Sequence, residues 1–120
     1  MMTTFVVQEH KARRAGLHYD FRLEMNGALK SWAFRKELPA EKGVRRLGIP
    51  QPDHELAYGS FQGEIEEGYG AGVVKIWDEG NYDLLEIKPE NKIVIQLHGR
   101  RLNGRYAMVR TKMGWLFFKQ

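Results

Sequence analysis

Leu17-His18-Tyr19-Asp20-Phe21-Arg22-Leu23-Glu24-Met25-Asn26-Gly27 is the stretch that decides the fold. Its odd positions up to Met25 are apolar or aromatic, while its even positions are His, Asp, Arg and Glu. Strict alternation is the period of a strand with two unlike faces and does not fit a helix. Asn26-Gly27 then supplies two residues that tolerate positive φ, as a tight type I′ hairpin requires, so Ala28 to Arg35, with Trp32, is expected to return antiparallel. Working outward, the same period marks strands at about 61–66, 72–78, 81–87, 92–98, 104–111 and 115–119, with Asn103-Gly104 and Met113-Gly114 as further turns. The one helix signal is Pro39-Ala40-Glu41-Lys42, cut short by Gly43 and Gly48. Many short strands with so little helix predict a mostly β chain, a small closed or nearly closed antiparallel β-barrel with one short helix, because closure removes exposed strand edges.

The 120 residues are 42% hydrophobic and 28% charged, enough for one modest core, and the chain is expected to be a single domain over 1–120. It contains no cysteine, so disulfides and thiolate metal sites are excluded and any metal ligand must be His or carboxylate. Met1 to Val7 has no basic leader-type segment, and no apolar run approaches a membrane span; the expectation is a soluble, cytoplasmic protein without a membrane partner. A formal charge of +4 favours a polyanionic partner. Its placement says more. Lys11, Arg13 and Arg14, then Arg35 and Lys36, then Lys42, Arg45 and Arg46, then Arg100, Arg101 and Arg105 cluster around turns, whereas acids gather at Glu64, Glu66 and Glu67 and between Asp78 and Glu90, predicting one positive face.

Gln8-Glu9-His10 precedes the deciding stretch by a few residues. In a strand His18, Asp20 and Arg22 share one face, Gln8 and His10 share another, and a reversal across Lys11 to Gly16 would pair the two strands. Two imidazoles and a carboxylate could then hold one ion with positions left open, as in a catalytic site, and nitrogen with oxygen donors suits manganese, iron or zinc. Arg22 would offer a planar fork of donors to a phosphate. The competing reading is an ordinary solvated strand face. Asp53-His54-Glu55-Leu56-Ala57-Tyr58 is the second candidate: His54 for phosphate contact or proton transfer and Tyr58 as a donor to the same oxyanion, against the plainer alternative of an exposed polar loop. Lys36, Arg45 and Arg46 read equally as surface charge. Gly68-Tyr69-Gly70-Ala71-Gly72 lacks the Lys-Ser or Lys-Thr of a phosphate loop and precedes a strand, so it reads as a tight connection. His98 reads as structural.

Taken in order, Phe5-Val6-Val7-Gln8-Glu9-His10, Leu17 to Glu24, Leu29-Lys30-Ser31-Trp32-Ala33, Asp53 to Tyr58, Phe61-Gln62-Gly63-Glu64-Ile65, Gly68 to Gly72, Trp77-Asp78-Glu79-Gly80, Leu97-His98-Gly99, Leu102-Asn103-Gly104 and Leu116-Phe117-Phe118-Lys119 resemble the 3′-phosphoesterase domain family of DNA ligase D, in a stand-alone, archaeal-like form. The resemblance covers nearly the whole chain. It implies a manganese-dependent β-barrel enzyme, with cobalt or zinc as alternatives, that removes a 3′-terminal ribonucleotide from a primer strand to leave a 3′-phosphate, then removes the phosphate to leave a 3′-hydroxyl for repair. By position it implies His10, His18 and Asp20 as metal ligands, Arg22, His54 and Tyr58 at the scissile phosphate, and Gln8, Lys36 and Arg46 as supporting or strand-contacting groups. The implied partners are primer-template 3′ ends and a separately encoded ligase and polymerase, with the chain acting as a monomer.

Three positions depart from the family pattern. The segment Lys11 to Gly16 is slightly longer, Pro52 stands where an acidic residue is expected, and the chain begins almost at the first motif without the N-terminal arm of larger fused versions, which predicts weaker ribonucleotide removal than phosphate removal. The Lys-any residue-Asp-Gly pattern of nucleotidyl transfer is absent. Two other classes compete: a non-catalytic basic barrel that binds nucleic acid through Trp32, Tyr69 and Trp77, and an iron-dependent oxygenase built on the same two-His, one-carboxylate set.

Overall fold

The computed structural model describes residues 3–120, and within them the hairpin expected around Asn26-Gly27 is formed. Asn26 and Gly27 take φ of 54° and 81°, the left-handed pair a type I′ turn needs. They join β2 (Gly16–Met25) to β3 (Ala28–Phe34), and β1 (Thr3–Ala12) pairs with the other edge of β2. The remaining strands are β4 (Arg45–His54), β5 (Gly63–Ile65), β6 (Gly72–Lys88), β7 (Lys92–His98), β8 (Asn103–Arg110) and β9 (Trp115–Lys119). Neighbours run β1-β2-β3-β4-β9-β8-β7-β6, and β6 pairs back onto β1, so the antiparallel barrel closes, with β5 added outside on β6. Among the described residues no helix is long and apolar enough to cross a membrane.

Closure depends on one long strand. The 72–78 and 81–87 strands expected separately are a single β6, whose first part lies between β5 and β1 and whose last part pairs with β7. Gly72 starts it at φ 149°, where any Cβ would overlap the Lys11 carbonyl, so only glycine lets β6 approach β1 this closely. The 61–66 strand shrinks to Gly63–Ile65.

Inside the barrel Phe5, Val7, Tyr19, Phe21, Leu23, Trp32, Phe34 and Phe117 pack with Ile95, Leu97, Tyr106 and Met108. These are the apolar positions of the alternating pattern, each contributing about 1.5–3 kcal/mol by burial. Gly48 fits beneath the Phe34 ring, where a methyl has no space.

The expected helix at Pro39-Ala40-Glu41-Lys42 does not form. The segment is an irregular plug at one barrel mouth: Leu38 is buried, the Pro39 carbonyl accepts the Tyr106 hydroxyl at 2.9 Å, and Lys42 bridges to Lys119. A few residues ending at Gly43, with φ 91°, cannot nucleate a helix against those contacts. The helical turn that does form is a 3-10 helix at Leu56–Ser60. The strand that the alternation did not mark is β4, which contains Pro50 and Pro52. Only Arg45 to Gly48 pair with β9, leaving the prolines where β4 has one neighbour and a missing N–H costs no ladder bond.

Candidate metal centre and phosphate cleft

Because Val7, Tyr19 and Phe21 turn inward, Gln8, His10, His18, Asp20 and Arg22 all face the outside of the β1-β2-β3 surface. That surface is not solvated: Gln8, His10, Asp20 and Arg22 are buried and His18 is half-buried. The cover is chain 55–71. Gln8 Nε2 donates to the carbonyls of Tyr58 (2.8 Å) and Phe61 (3.2 Å), and Gly59 lies against Val6 and Leu29. This disposes of the solvated-face alternative, since a charged face packed under a loop must satisfy its groups internally.

The β1–β2 register sets His10 opposite His18 and Gln8 opposite Asp20. The two rings lie 4.7 Å apart at their centroids. Asp20 Oδ2 sits 3.3 Å from His18 Nε2, 3.8 Å from His10 Nδ1 and 3.5 Å from Arg22 Nη2. One donor atom from each of His10, His18 and Asp20 falls within 4.8 Å of the others. The outer ring nitrogens are committed: His10 Nε2 donates to the Gly70 carbonyl at 2.8 Å and His18 Nδ1 to the Gly16 carbonyl at 3.1 Å. A carbonyl can only accept, so whenever such a ring is neutral its lone pair lies on the nitrogen that faces Asp20, as a metal ligand requires. The donor set therefore fits a divalent cation. Hydrogen bonding with Asp20 raises the His18 pKa against the lowering effect of burial.

Arg22 is held from three sides. Its Nε donates to Gln8 Oε1 at 2.6 Å, its Nη1 to Ser31 Oγ at 2.8 Å, and its guanidinium lies 5.0 Å from the Tyr58 ring centroid. Burial lowers its pKa, and the Asp20 charge opposes the shift. His54 and Tyr58 stack at 4.6 Å. Burial, then the Arg22 charge, lowers the His54 pKa, and burial raises that of Tyr58, so near neutrality one is an uncharged imidazole and the other an intact hydroxyl. All of these groups except Gln8 and Ser31 line one cleft of about 350 Å³, together with Pro52, Tyr69 and Gly70.

Lys36 and Arg46 are not drawn into this cleft; they line an adjacent groove with Arg35 and Arg45. His98 does not line the cleft; it forms an exposed 2.9 Å pair with Asp83. The 68–72 segment is the connection expected of it, but its Gly70 carbonyl also orients His10, which no motif announces. Ser31 is the other group sequence reasoning passed over, although the Asn26-Gly27 turn by itself registers Ser31 opposite Arg22. Pro52 lines the cleft without contributing a carboxylate.

Comparison with known proteins converges on one family. Residues 8–110 match the profile of the DNA ligase D 3′-phosphoesterase domain. The multifunctional non-homologous end joining DNA repair protein LigD of Mycobacterium tuberculosis is 50% identical over 112 residues, covering 90% of this chain and 14% of the relative. The LigD proteins of Mycolicibacterium smegmatis and Pseudomonas aeruginosa are 44% and 42% identical, covering 93% and 91% of this chain and 16% and 13% of theirs. The chain thus spans about one-seventh of the length of the curated relatives it matches.

Proposed function

Since the chain belongs to the DNA ligase D 3′-phosphoesterase domain family, we propose that it is a manganese-dependent enzyme that heals 3′ ends, trimming a terminal ribonucleotide by releasing its ribonucleoside and then removing the 3′-phosphate left on the strand. One observation carries the reading: His10, His18 and Asp20 converge within 4.8 Å on the outer wall of a barrel, with the Arg22 guanidinium 3.5 Å from the same carboxylate. Cation beside cation site is the arrangement a phosphate ester needs, because its charge must be neutralised before a nucleophile can approach.

A divalent ion held by His10 Nδ1, His18 Nε2 and Asp20 would polarise a phosphoryl oxygen and lower the pKa of water. Everything else falls to side chains. Arg22 is kept in place by Gln8 and Ser31, so it meets the phosphate without reorganising, and Tyr58 donates its hydroxyl to a phosphoryl oxygen. His54, held uncharged by burial and by Arg22, is free to accept a proton at neutral pH. Lys36 and Arg46 act further out, on the strand that carries the ester.

The test is a labelled primer with a single 3′ ribonucleotide, incubated with manganese and sampled over time. The expected course is a transient strand ending in phosphate, then one ending in hydroxyl. A folded protein that binds the primer equally with and without metal and never shortens it is a binding barrel, and the enzymatic reading fails.

A further inference from the structure

Two dissimilar surfaces flank the metal centre on the outside of the barrel. Sheet order β6-β1-β2-β3-β4 places them on opposite sides of β2. On the β3–β4 side is a groove of about 310 Å³ with Ala33, Leu47 and Ile49 at its base and Arg35, Lys36, Arg45 and Arg46 around it. Ala33 is the cross-strand partner of both Asp20 and Ile49, so the groove continues directly from the cluster. No carboxylate lies within ion-pair distance of any of the four cations among the described residues; Arg46 spends only its Nε, on the Glu37 carbonyl. Such an unneutralised set is an anion track.

The β1–β6 side differs in character. Tyr69 lines the cleft with Ala12, Ala15 and Ile65, and it is 77% exposed, next to the Gly70 whose carbonyl holds His10. Glu66 and Glu67 precede it, and Arg13, the cation that contacts this loop, is taken up by Glu64 at 3.4 Å and the Glu66 carbonyl. Lys11 and Arg14, exposed on this side without an ion pair among the described residues, leave it mixed in charge and not a continuous cationic groove, and its exposed aromatic ring suits a base face.

On the functional reading above, the geometry points to a strand polarity: the body of the primer lies in the Arg35–Arg45 groove, and its 3′-terminal nucleoside lies against Tyr69, with the scissile phosphate between them at the metal centre. The physical basis is that a terminal nucleoside has no phosphate beyond it, whereas each nucleotide of the body carries one. A continuous cationic groove belongs on one side only. Tyr69 is then a specificity residue for the first hydrolytic step alone, because after the nucleoside leaves nothing remains on its side.

The test uses the full chain with manganese and two otherwise identical labelled strands, one ending in a ribonucleoside and one in a 3′-phosphate. Tyr69→Ala is expected to raise KM for the nucleoside-ended strand about tenfold relative to the phosphate-ended one, the scale of a single base stack, and Tyr69→Trp to reverse it. Arg35→Ala with Arg45→Ala is expected to raise KM for both strands alike and to flatten the salt dependence by about 0.7 in log–log slope for each phosphate no longer neutralised. All three side chains are exposed, so folding is spared. If Tyr69→Ala affects both strands equally, or the arginine pair affects only the nucleoside-ended strand, the polarity is wrong while the enzyme reading survives. Wild-type protein that hydrolyses neither strand overturns both.

Discussion

Gln8 and Arg22 are joined by a 2.6 Å hydrogen bond, Oε1 to Nε, while the amide end of Gln8 holds the Tyr58 and Phe61 carbonyls. One buried side chain thus ties the phosphate-facing guanidinium to the segment that covers it. Gln8→Ala takes the acceptor from Arg22 Nε and a donor from the Phe61 and Tyr58 carbonyls, the latter keeping the Phe61 N–H, and a loss of about 1–3 kcal/mol in urea unfolding is expected, with turnover falling at least tenfold. Gln8→Glu restores the acceptor for Arg22 but opposes the carbonyls, so it should recover less than half of the stability. Equal stability of wild type and Gln8→Ala would show that the bridge contributes nothing to the fold.

Metal should stabilise the protein through three side chains. At a hundredfold excess over its dissociation constant a cation bound only by the folded chain adds about 2.7 kcal/mol, a Tm rise of several degrees for a chain of this size. Asp20→Asn preserves shape and removes the anionic donor that His10, His18 and Arg22 share. Calorimetric scans with and without manganese are expected to differ for wild type and to coincide for Asp20→Asn. A rise retained in Asp20→Asn would place the ion elsewhere.

Alkaline stability should depend on Tyr106. Its hydroxyl donates to the Pro39 carbonyl at 2.9 Å, and burial, then the Asp78 charge, push its pKa up to about 12. The unfolded phenol titrates near 10. Between those values the folded chain keeps a proton the unfolded chain has lost, so this contribution is complete below about pH 10 and disappears as pH rises toward 12. Tyr106→Phe is expected to be less stable than wild type at pH 8 by about 1 kcal/mol, with the difference shrinking above pH 10. Urea titrations at pH 8 and 10.5 measure both numbers, and a constant gap contradicts the assignment.

Gly48→Ala tests the barrel packing. The added methyl would overlap the Phe34 ring, which is itself wedged against Phe117. Overpacking of this sort costs about 1–3 kcal/mol. The expected result is a lower urea midpoint with an unchanged slope, and a variant as stable as wild type would mean that Phe34 has room to move.

Alternation from Leu17 to Met25 with Asn26-Gly27 settled the β architecture, the hairpin and the sorting of Tyr19 and Phe21 from His18, Asp20 and Arg22, because side-chain direction in a strand is a local property of the backbone. The same local rule put Gln8 with His10. It did not reach what neighbours decide: Pro39 to Lys42 is a plug and not the expected helix, since Tyr106 and Lys119 claim its backbone, and Arg45 to His54 is a strand left unmarked by the alternation, with Pro50 and Pro52 in the half of β4 that has one partner. What only the tertiary structure decided is burial and tautomer. Chain 55–71 folds over a face that alternation alone would leave in water, and the Gly16 and Gly70 carbonyls aim two imidazoles at one carboxylate. Those contacts join residues up to 60 positions apart, and no periodicity in a chain records which distant carbonyl a ring will meet.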